Sequence, residues 1–285
     1  MSMSPRIVAV FGATGTQGIS EKALKLKTLG AELAQADLWD IDSLKQALSG
    51  VEAVYGVTDY YDPKNFAQGH NSEMLLGKNL VDAAKAMDVK YFIWSSLPHC
   101  TRVSNGKYAN VYHFDNKANV DDYLRDSGVP HSNLHTGWFL ENLWNYNNLV
   151  PVPDSNRLEL NVPRYDSQSP QYFTWIERDL GQCALALLKH YKDPESDVLS
   201  RTFYAVSAKL NYTQFASILQ QALGKPVSFV SSPTTGMQEM DDMYAFQSEY
   251  GLYPHTTIPD PRLINLGVKF HTIEEFSQEI KGRYA

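Results

Sequence analysis

The apolar run Ile7-Val8-Ala9-Val10-Phe11 breaks directly into Gly12-Ala13-Thr14-Gly15-Thr16-Gln17-Gly18, three glycines spaced three apart, and few folds accept that pattern. A short β-branched run is a strand, and a chain that leaves it through glycines into helix-compatible residues makes a dinucleotide-binding turn. Gly12 permits the sharp exit, Gly15 lets a pyrophosphate approach bare backbone, and Gly18 lets the next helix lie close on the sheet. Gly12, Thr14, Gly15, Thr16, Gln17 and Gly18 are therefore the first candidate cofactor contacts, with main-chain amides and a positive helix end facing the phosphates. Taken as a bare pattern, the run also fits a structural turn.

Downstream, the sequence predicts a helix over Ile19 to Leu29, with Ala23, Leu24, Leu26 and Leu29 on one face and Gly30 closing it. Ala31 to Asp37 alternates weakly and is expected to be a strand ending at a carboxylate. Asp37 stands roughly 20 residues after the last glycine, where a ribose-binding acid belongs. Asp42 is expected to cap a helix over Ser43 to Leu48. The strand Ala53 to Thr58 then delivers Thr58 and the loop Asp59-Tyr60-Tyr61-Asp62-Pro63 to the edge where open α/β sheets hold ligands. That loop either packs on adenine and diphosphate or is plain surface.

A helix from Ser72 to Met87 and a strand from Tyr91 to Trp94 place Ser95 and Ser96 at the same edge, as candidate contacts to the nicotinamide end and the substrate. Pro98 to Asn110 is polar and is expected to be a flexible loop. From Tyr112 a helix carries His113 and Lys117 and ends at Gly128-Val129-Pro130. The strand His131 to Thr136 leads into Gly137-Trp138-Phe139-Leu140-Glu141-Asn142, whose Trp138, Phe139 and Asn142 either line a pocket or fill the core. The alternation of helix and strand predicts an α/β fold, a Rossmann-type doubly wound parallel sheet with a shortened first crossover.

Beyond Val150 the chain becomes rich in proline and turns, which predicts a smaller C-terminal α/β lobe over 151–285 beside a nucleotide domain over 1–150, with 171–206 returning to the latter. Within it, helices are expected over Trp175 to His190, Thr213 to Leu223 and from Thr272, and a strand over Thr202 to Val206. Tyr244 to Tyr253 is aromatic, and internal packing or a partner surface both fit it.

With 285 residues, 43% hydrophobic and 20% charged, the chain has the composition of an ordinary globular protein able to bury a full core. Its formal net charge of -7 opposes direct nucleic-acid binding. Cys100 and Cys183 form no disulfide framework, the histidines show no metal-ligand spacing, and neither a G-x-S-x-G elbow nor a P-loop occurs. Met1 to Pro5 carries no charged-then-apolar leader, and no apolar run is long enough to span a bilayer, so a cytoplasmic or nuclear location without membrane contact is expected.

The run Val10 to Gly18, the pair His113 and Lys117 in His113-Phe114-Asp115-Asn116-Lys117, and Gly137 to Asn142 together resemble the NmrA-like family of atypical short-chain dehydrogenase/reductase proteins. The resemblance covers most of the chain and is strongest from Val8 to Leu143. It implies a Rossmann fold and binding of NADP or NAD. In many members it implies a regulatory use, sensing redox state and restraining a transcription factor.

Two departures from that family pattern stand out. Active enzymes of the wider superfamily carry a tyrosine four residues before the catalytic lysine, and here His113 holds that place, with Tyr112 turned about 100° away on the helix. Related isoflavone-reductase-like enzymes rely on a lysine here, which keeps reductase chemistry open with Lys117 and His113 as acid/base candidates. Secondly, Gly18 runs straight into Ser20-Glu21-Lys22-Ala23, as though about 20 to 30 residues, the bulk of one parallel crossover, were absent. The absent portion includes the arginine that grips the 2′-phosphate of NADP in the family. Either the Ile19 to Asp37 segment fills the vacated place or dinucleotide binding is weak or lost. Three functions follow: a redox-sensing regulator, a reductase of a small aromatic or quinone-like substrate, and a scaffold without a cofactor.

Overall fold

A computed structural model of the chain describes residues 6–12 and 21–284, so Thr14, Gly15, Thr16, Gln17 and Gly18 lie outside the described residues. In chain order the elements are β1 (Val8–Val10), α1 (Glu21–Thr28), α2 (Ile41–Ala47), β2 (Ala53–Gly56), α3 (Pro63–Phe66), α4 (Ser72–Ala86), β3 (Tyr91–Ser96), α5 (Cys100–Val103), α6 (Tyr112–Ser127) and β4 (His131–Thr136). There follow β5 (Trp138–Phe139), α7 (Asn142–Asn145), β6 (Leu149–Pro151), β7 (Leu158–Asn161), β8 (Pro170–Thr174), α8 (Gly181–His190), β9 (Arg201–Ala205), β10 (Ala208–Asn211), α9 (Tyr212–Leu223), β11 (Val227–Val230), α10 (Gln238–Tyr250), α11 (Pro261–Asn265) and α12 (Ile273–Glu279).

The central sheet has the order β1-β2-β3-β4-β9. Its β1-β2 and β2-β3 pairs are parallel, with Val8 opposite Ala53 and Ala53 opposite Tyr91. β3 and β4 are buried at all six positions each, the behaviour of strands covered by helices on both faces. This is the Rossmann-type α/β architecture that the alternation of elements predicts.

The chain divides into two compact units, Met1–His99 with Tyr112–Leu134 and Leu187–Thr202, and Cys100–Val111 with His135–Ala186 and Phe203–Ala285. The first has one core in which Leu44, Leu80, Val81, Phe92, Trp94, Val120 and Leu124 meet between the sheet and its helices. The second holds two three-stranded sheets, β10-β8-β5 and β11-β7-β6. Its core is aromatic: the Tyr212 ring meets Tyr165 edge-on at 4.9 Å and stacks on Phe229 at 5.0 Å.

Several expectations are corrected. Ala31 to Asp37 is irregular rather than a strand. It contains no β-branched residue, and Ala, Glu, Gln and Asp are poor strand formers that cannot hold an edge unaided. Among the described residues β1 consequently pairs with β2 alone, and Ile7 and Val10 stay more than half exposed at 51% and 54%. Among the described residues the sheet therefore ends at β1. Asp40, not Asp42, caps α2, its Oδ1 accepting from the amides of Asp42 and Ser43 at 3.0 and 3.2 Å. The stretch from Pro98 to Asn110 contains α5, and the helix expected from Trp175 begins as a single π turn over Ile176–Leu180. The aromatic run near Tyr244 forms α10, where Tyr244 and Phe246 are buried.

α4 and α6 lie close together in the first unit, and one glycine makes this possible. A Cβ on Gly77 would stand 2.5 Å from Val120 Cγ2 and 3.3 Å from the Trp94 ring. Alanine at Gly77 is expected to lower stability by about 1–3 kcal/mol through overpacking, outweighing its helix advantage of ~1 kcal/mol. Gly181→Ala, where nothing lies within 4 Å of the added carbon, is expected to be neutral or mildly stabilising. Urea denaturation of the two variants measures the contrast.

Candidate functional site

Because Gly77 lets the helices touch, side chains on α4 and α6 meet in ascending pairs, Glu73 with Lys117, Gly77 with Val120 and Asp82 with Tyr123. The ascending order shows that the helices run in the same direction, so their N-terminal turns lie together. Glu73 occupies the first turn of α4 on the same stripe as Leu76, Gly77 and Leu80. That stripe faces the core, so a carboxylate at its head is carried inside.

Glu73 is sealed, with a side chain 1% exposed, and Lys117 is nearly so at 12%. The Lys117 ammonium forms an ion pair with Glu73 Oε1, and the Thr58 hydroxyl donates to the same oxygen at 2.9 Å. Glu73 Oε2 has no hydrogen-bond partner among the described residues. Burial pushes the Glu73 carboxyl above its ordinary range, against the opposing pull of Lys117, Thr58 and the charge of His113. Trp94 on β3 donates from Nε1 to the Lys117 carbonyl at 3.1 Å, which fixes this turn of α6 against the sheet.

The loop after β2 is stitched to the start of α6. His70 stacks on Tyr112 with ring centroids 4.0 Å apart, and the His70 carbonyl accepts from Asn116 Nδ2 at 2.6 Å. Tyr60 bonds His70 Nδ1 at 3.2 Å, and Tyr61 bonds His113 Nδ1 at 3.3 Å. Thr58, Ser95 and Ser96 are all buried at or just beyond the C-terminal ends of β2 and β3. Gly12 leaves β1 with φ +76°, and a Cβ there would meet Val57 Cγ1 at 2.6 Å, so the main chain passes bare beside the strand that leads to Thr58.

The structure thus brings Thr58 and Lys117 together through Glu73 and sets His113 one turn before Lys117. Asp37 stands apart from them on the exposed irregular segment. Its Oδ2 pairs with Lys64 at 2.7 Å, and that bond, with the Trp39 amide on Oδ1, holds its carboxyl below the ordinary range. Trp138, Phe139 and Asn142 belong to the second unit, where Trp138 is buried with its ring edge-on to Phe173 and Tyr212. Among the described residues no group of three or more His, Cys, Asp or Glu side chains could hold a metal ion, and no helix is long and apolar enough to cross a membrane.

Glu73 is a site residue that the sequence reasoning did not select, and Tyr61 was named only as part of the loop from Asp59 to Pro63, without its partner His113. For Glu73 a signal was present, a carboxylate placed three and four residues before Leu76 and Gly77 on an otherwise apolar stripe. For the pairing of Tyr61 there was none, since His113 lies 52 residues away.

Removing one member of a buried ion pair strands the other. Lys117→Met is expected to cost about 3–5 kcal/mol at neutral pH. The Glu73 carboxyl, already raised, rises further in that variant, so the folded state binds its proton more tightly than the unfolded chain does. Stability should therefore fall as pH climbs from the ordinary carboxylate value through the raised one, and recover in acid. The double variant Glu73→Gln/Lys117→Met, with no stranded charge, should regain most of the loss. Denaturant melts across pH test all three statements.

Comparison with known proteins agrees with the fold. The family model described as "NmrA-like family" matches residues 19–276. The NmrA-like family domain-containing oxidoreductase cpsB of Aspergillus campestris is 26% identical over 281 residues, covering 85% of this chain and 81% of that protein. Among solved structures, that of NmrA, a negative transcriptional regulator, superimposes with a TM-score of 0.76 at 18% identity, covering 98% of this chain and 97% of the other. The NADPH-dependent quinone oxidoreductase QOR2 of Escherichia coli, complexed with NADPH, gives a TM-score of 0.69 at 19% identity, covering 96% and 99%.

Proposed function

We propose, for a chain that belongs to the NmrA-like family, an NAD(P)-dependent reductase acting on a small aromatic carbonyl or quinone-like substrate. The observation that carries this reading is the buried Lys117–Glu73 pair behind Thr58 at the ligand edge of the sheet. A lysine that merely solvates a helix needs no buried carboxylate, and burying two charges is costly unless the arrangement serves a purpose. Curated relatives named as oxidoreductases and a quinone oxidoreductase of the same fold support the reaction class.

The residues fit a dinucleotide. Bare main chain at Gly12, together with Thr14, Gly15, Thr16, Gln17 and Gly18, would carry the diphosphate. Thr58, Ser95 and Lys117 would face the nicotinamide end, with Ser96 beside the substrate. A bound reduced nicotinamide supplies the hydride. Lys117 keeps a positive charge where negative charge develops on the substrate oxygen, and Glu73 holds that ammonium in place. His113, one turn earlier on α6, is within the same charge network.

Asp37 bears on the choice of cofactor. Its carboxylate is held ionised beside a single lysine, Lys64, an arrangement that accepts a ribose hydroxyl and repels a 2′-phosphate. The charge at Asp37 supports NAD(H), while the family resemblance implies NADP.

A second reading, a redox-sensing regulator that binds the dinucleotide without turnover and passes its state to a transcription factor, draws support from the NmrA structures solved with NAD and with NADP. Titration calorimetry followed by a reductase assay separates these possibilities. The reductase reading expects NADH to bind about tenfold or more tightly than NADPH. It expects turnover of a quinone or aromatic aldehyde that drops about 100-fold or more in Glu73→Gln/Lys117→Met. NAD binding without turnover on any substrate favours the regulator, and no binding of any dinucleotide favours the scaffold.

A further inference from the structure

Tyr61 and His113 form a contact that the proposed reaction has not yet used. The Tyr61 hydroxyl lies 3.3 Å from His113 Nδ1, with ring centroids 5.4 Å apart. The phenol is 37% exposed and the imidazole 8%, so the pair runs from the surface into the protein. Packing fixes both rings. Tyr60 meets Tyr61 edge-on at 5.0 Å, Phe66 lies nearly parallel to Tyr61 at 6.5 Å, and Tyr60 also lies 5.9 Å from His113. Tyr60 and Tyr61 from the loop and Phe114 from its own helix lie against His113, and Glu73 on α4 feels its charge, with Lys117 one turn along the helix.

A phenol on an imidazole is a path for one proton in either direction. When Nδ1 is bare, the hydroxyl donates to it. When the ring is protonated, Nδ1–H donates to the phenol oxygen. Resting on the reductase reading above, we propose that Tyr61 is the proton donor to the substrate oxygen and that His113 resupplies its proton.

The step balances. A hydride from the reduced nicotinamide forms the new C–H bond, and the carbonyl π pair moves onto oxygen. The Tyr61 O–H bond breaks as the product O–H forms, and the His113 Nδ1–H bond breaks to restore the phenol. Solvent returns a proton to the imidazole. The substrate gains two electrons and two hydrogens, and the nicotinamide loses the two electrons with its hydride.

Two variants test the pair. Tyr61→Phe keeps the ring and removes only the hydroxyl, and His113→Asn removes the titrating group; circular dichroism and thermal melts confirm that each folds. The first readout needs no substrate: the tyrosinate absorbance of Tyr61, taken as wild type minus Tyr61→Phe, is followed against pH with and without His113→Asn, and its midpoint should move. The second is turnover. Tyr61→Phe should lower kcat about tenfold or more with dinucleotide affinity unchanged within about twofold, and His113→Asn should lower kcat in the same direction.

A Tyr61 titration that ignores His113→Asn overturns the proposal, as does Tyr61→Phe turning over within about twofold of wild type. If turnover is lost in Glu73→Gln/Lys117→Met yet kept in Tyr61→Phe, the pair fails and the reductase reading stands. Absence of turnover by the wild-type protein on every carbonyl and quinone overturns both together.

Discussion

One missing methyl group governs the candidate site. At Gly77 the backbone of α4 comes so near Val120 of α6 that any larger residue would push the helices apart. The separation that remains lets Glu73, one turn earlier, reach Lys117 inside the protein. An ion pair at that depth is short of water, so its two members are strongly coupled and neither tolerates the loss of the other. Thr58 completes the arrangement from the strand side and Trp94 fixes the backbone of Lys117, so the ammonium is held by the sheet as well as by the neighbouring helix.

The same economy of contact shapes the edge of the sheet. The segment between α1 and α2 is too poor in β-forming residues to add a strand outside β1, and it turns back instead. There Asn79 Nδ2 donates to the Leu38 carbonyl at 2.9 Å, Trp39 Nε1 donates to Asn65 Oδ1 at 3.1 Å, and Asp37 pairs with Lys64. The abbreviated crossover thus ties itself to the loop after β2, which is the loop carrying Tyr60 and Tyr61.

Much of this fold was legible because burial on both faces writes itself as unbroken apolar runs. β2 and β3 are legible that way, as are α4 and α6 from their stripes and α9 and α12 from Gly224 and Thr272 at their ends, whereas β4, His131-Ser132-Asn133-Leu134-His135-Thr136, is buried without an apolar run and follows from the Gly128-Val129-Pro130 stop before it. The segment Ala31 to Asp37 was misread because weak alternation was taken as strand pattern where no β-branched residue supported it. Lys117 was legible from the resemblance and Thr58 from its strand exit. The carboxylate that joins them was not, since an acid at the head of an apolar stripe gains meaning only once a lysine 44 residues away is known to meet it. The Tyr61–His113 contact was hidden for the same reason: hydrogen bonds between distant segments leave no periodicity in a sequence.

The central claim is that the ammonium of Lys117, gripped by Glu73, stands at the nicotinamide end of a bound dinucleotide. Its most direct test is the side-chain nitrogen resonance of Lys117 in protein labelled on lysine, assigned by its loss in Glu73→Gln/Lys117→Met and followed as NAD is added. The account expects that resonance to move with saturation while Lys192, at the far Glu52 ion pair, stays still. Saturable binding of NAD that leaves the Lys117 resonance where it began would contradict it.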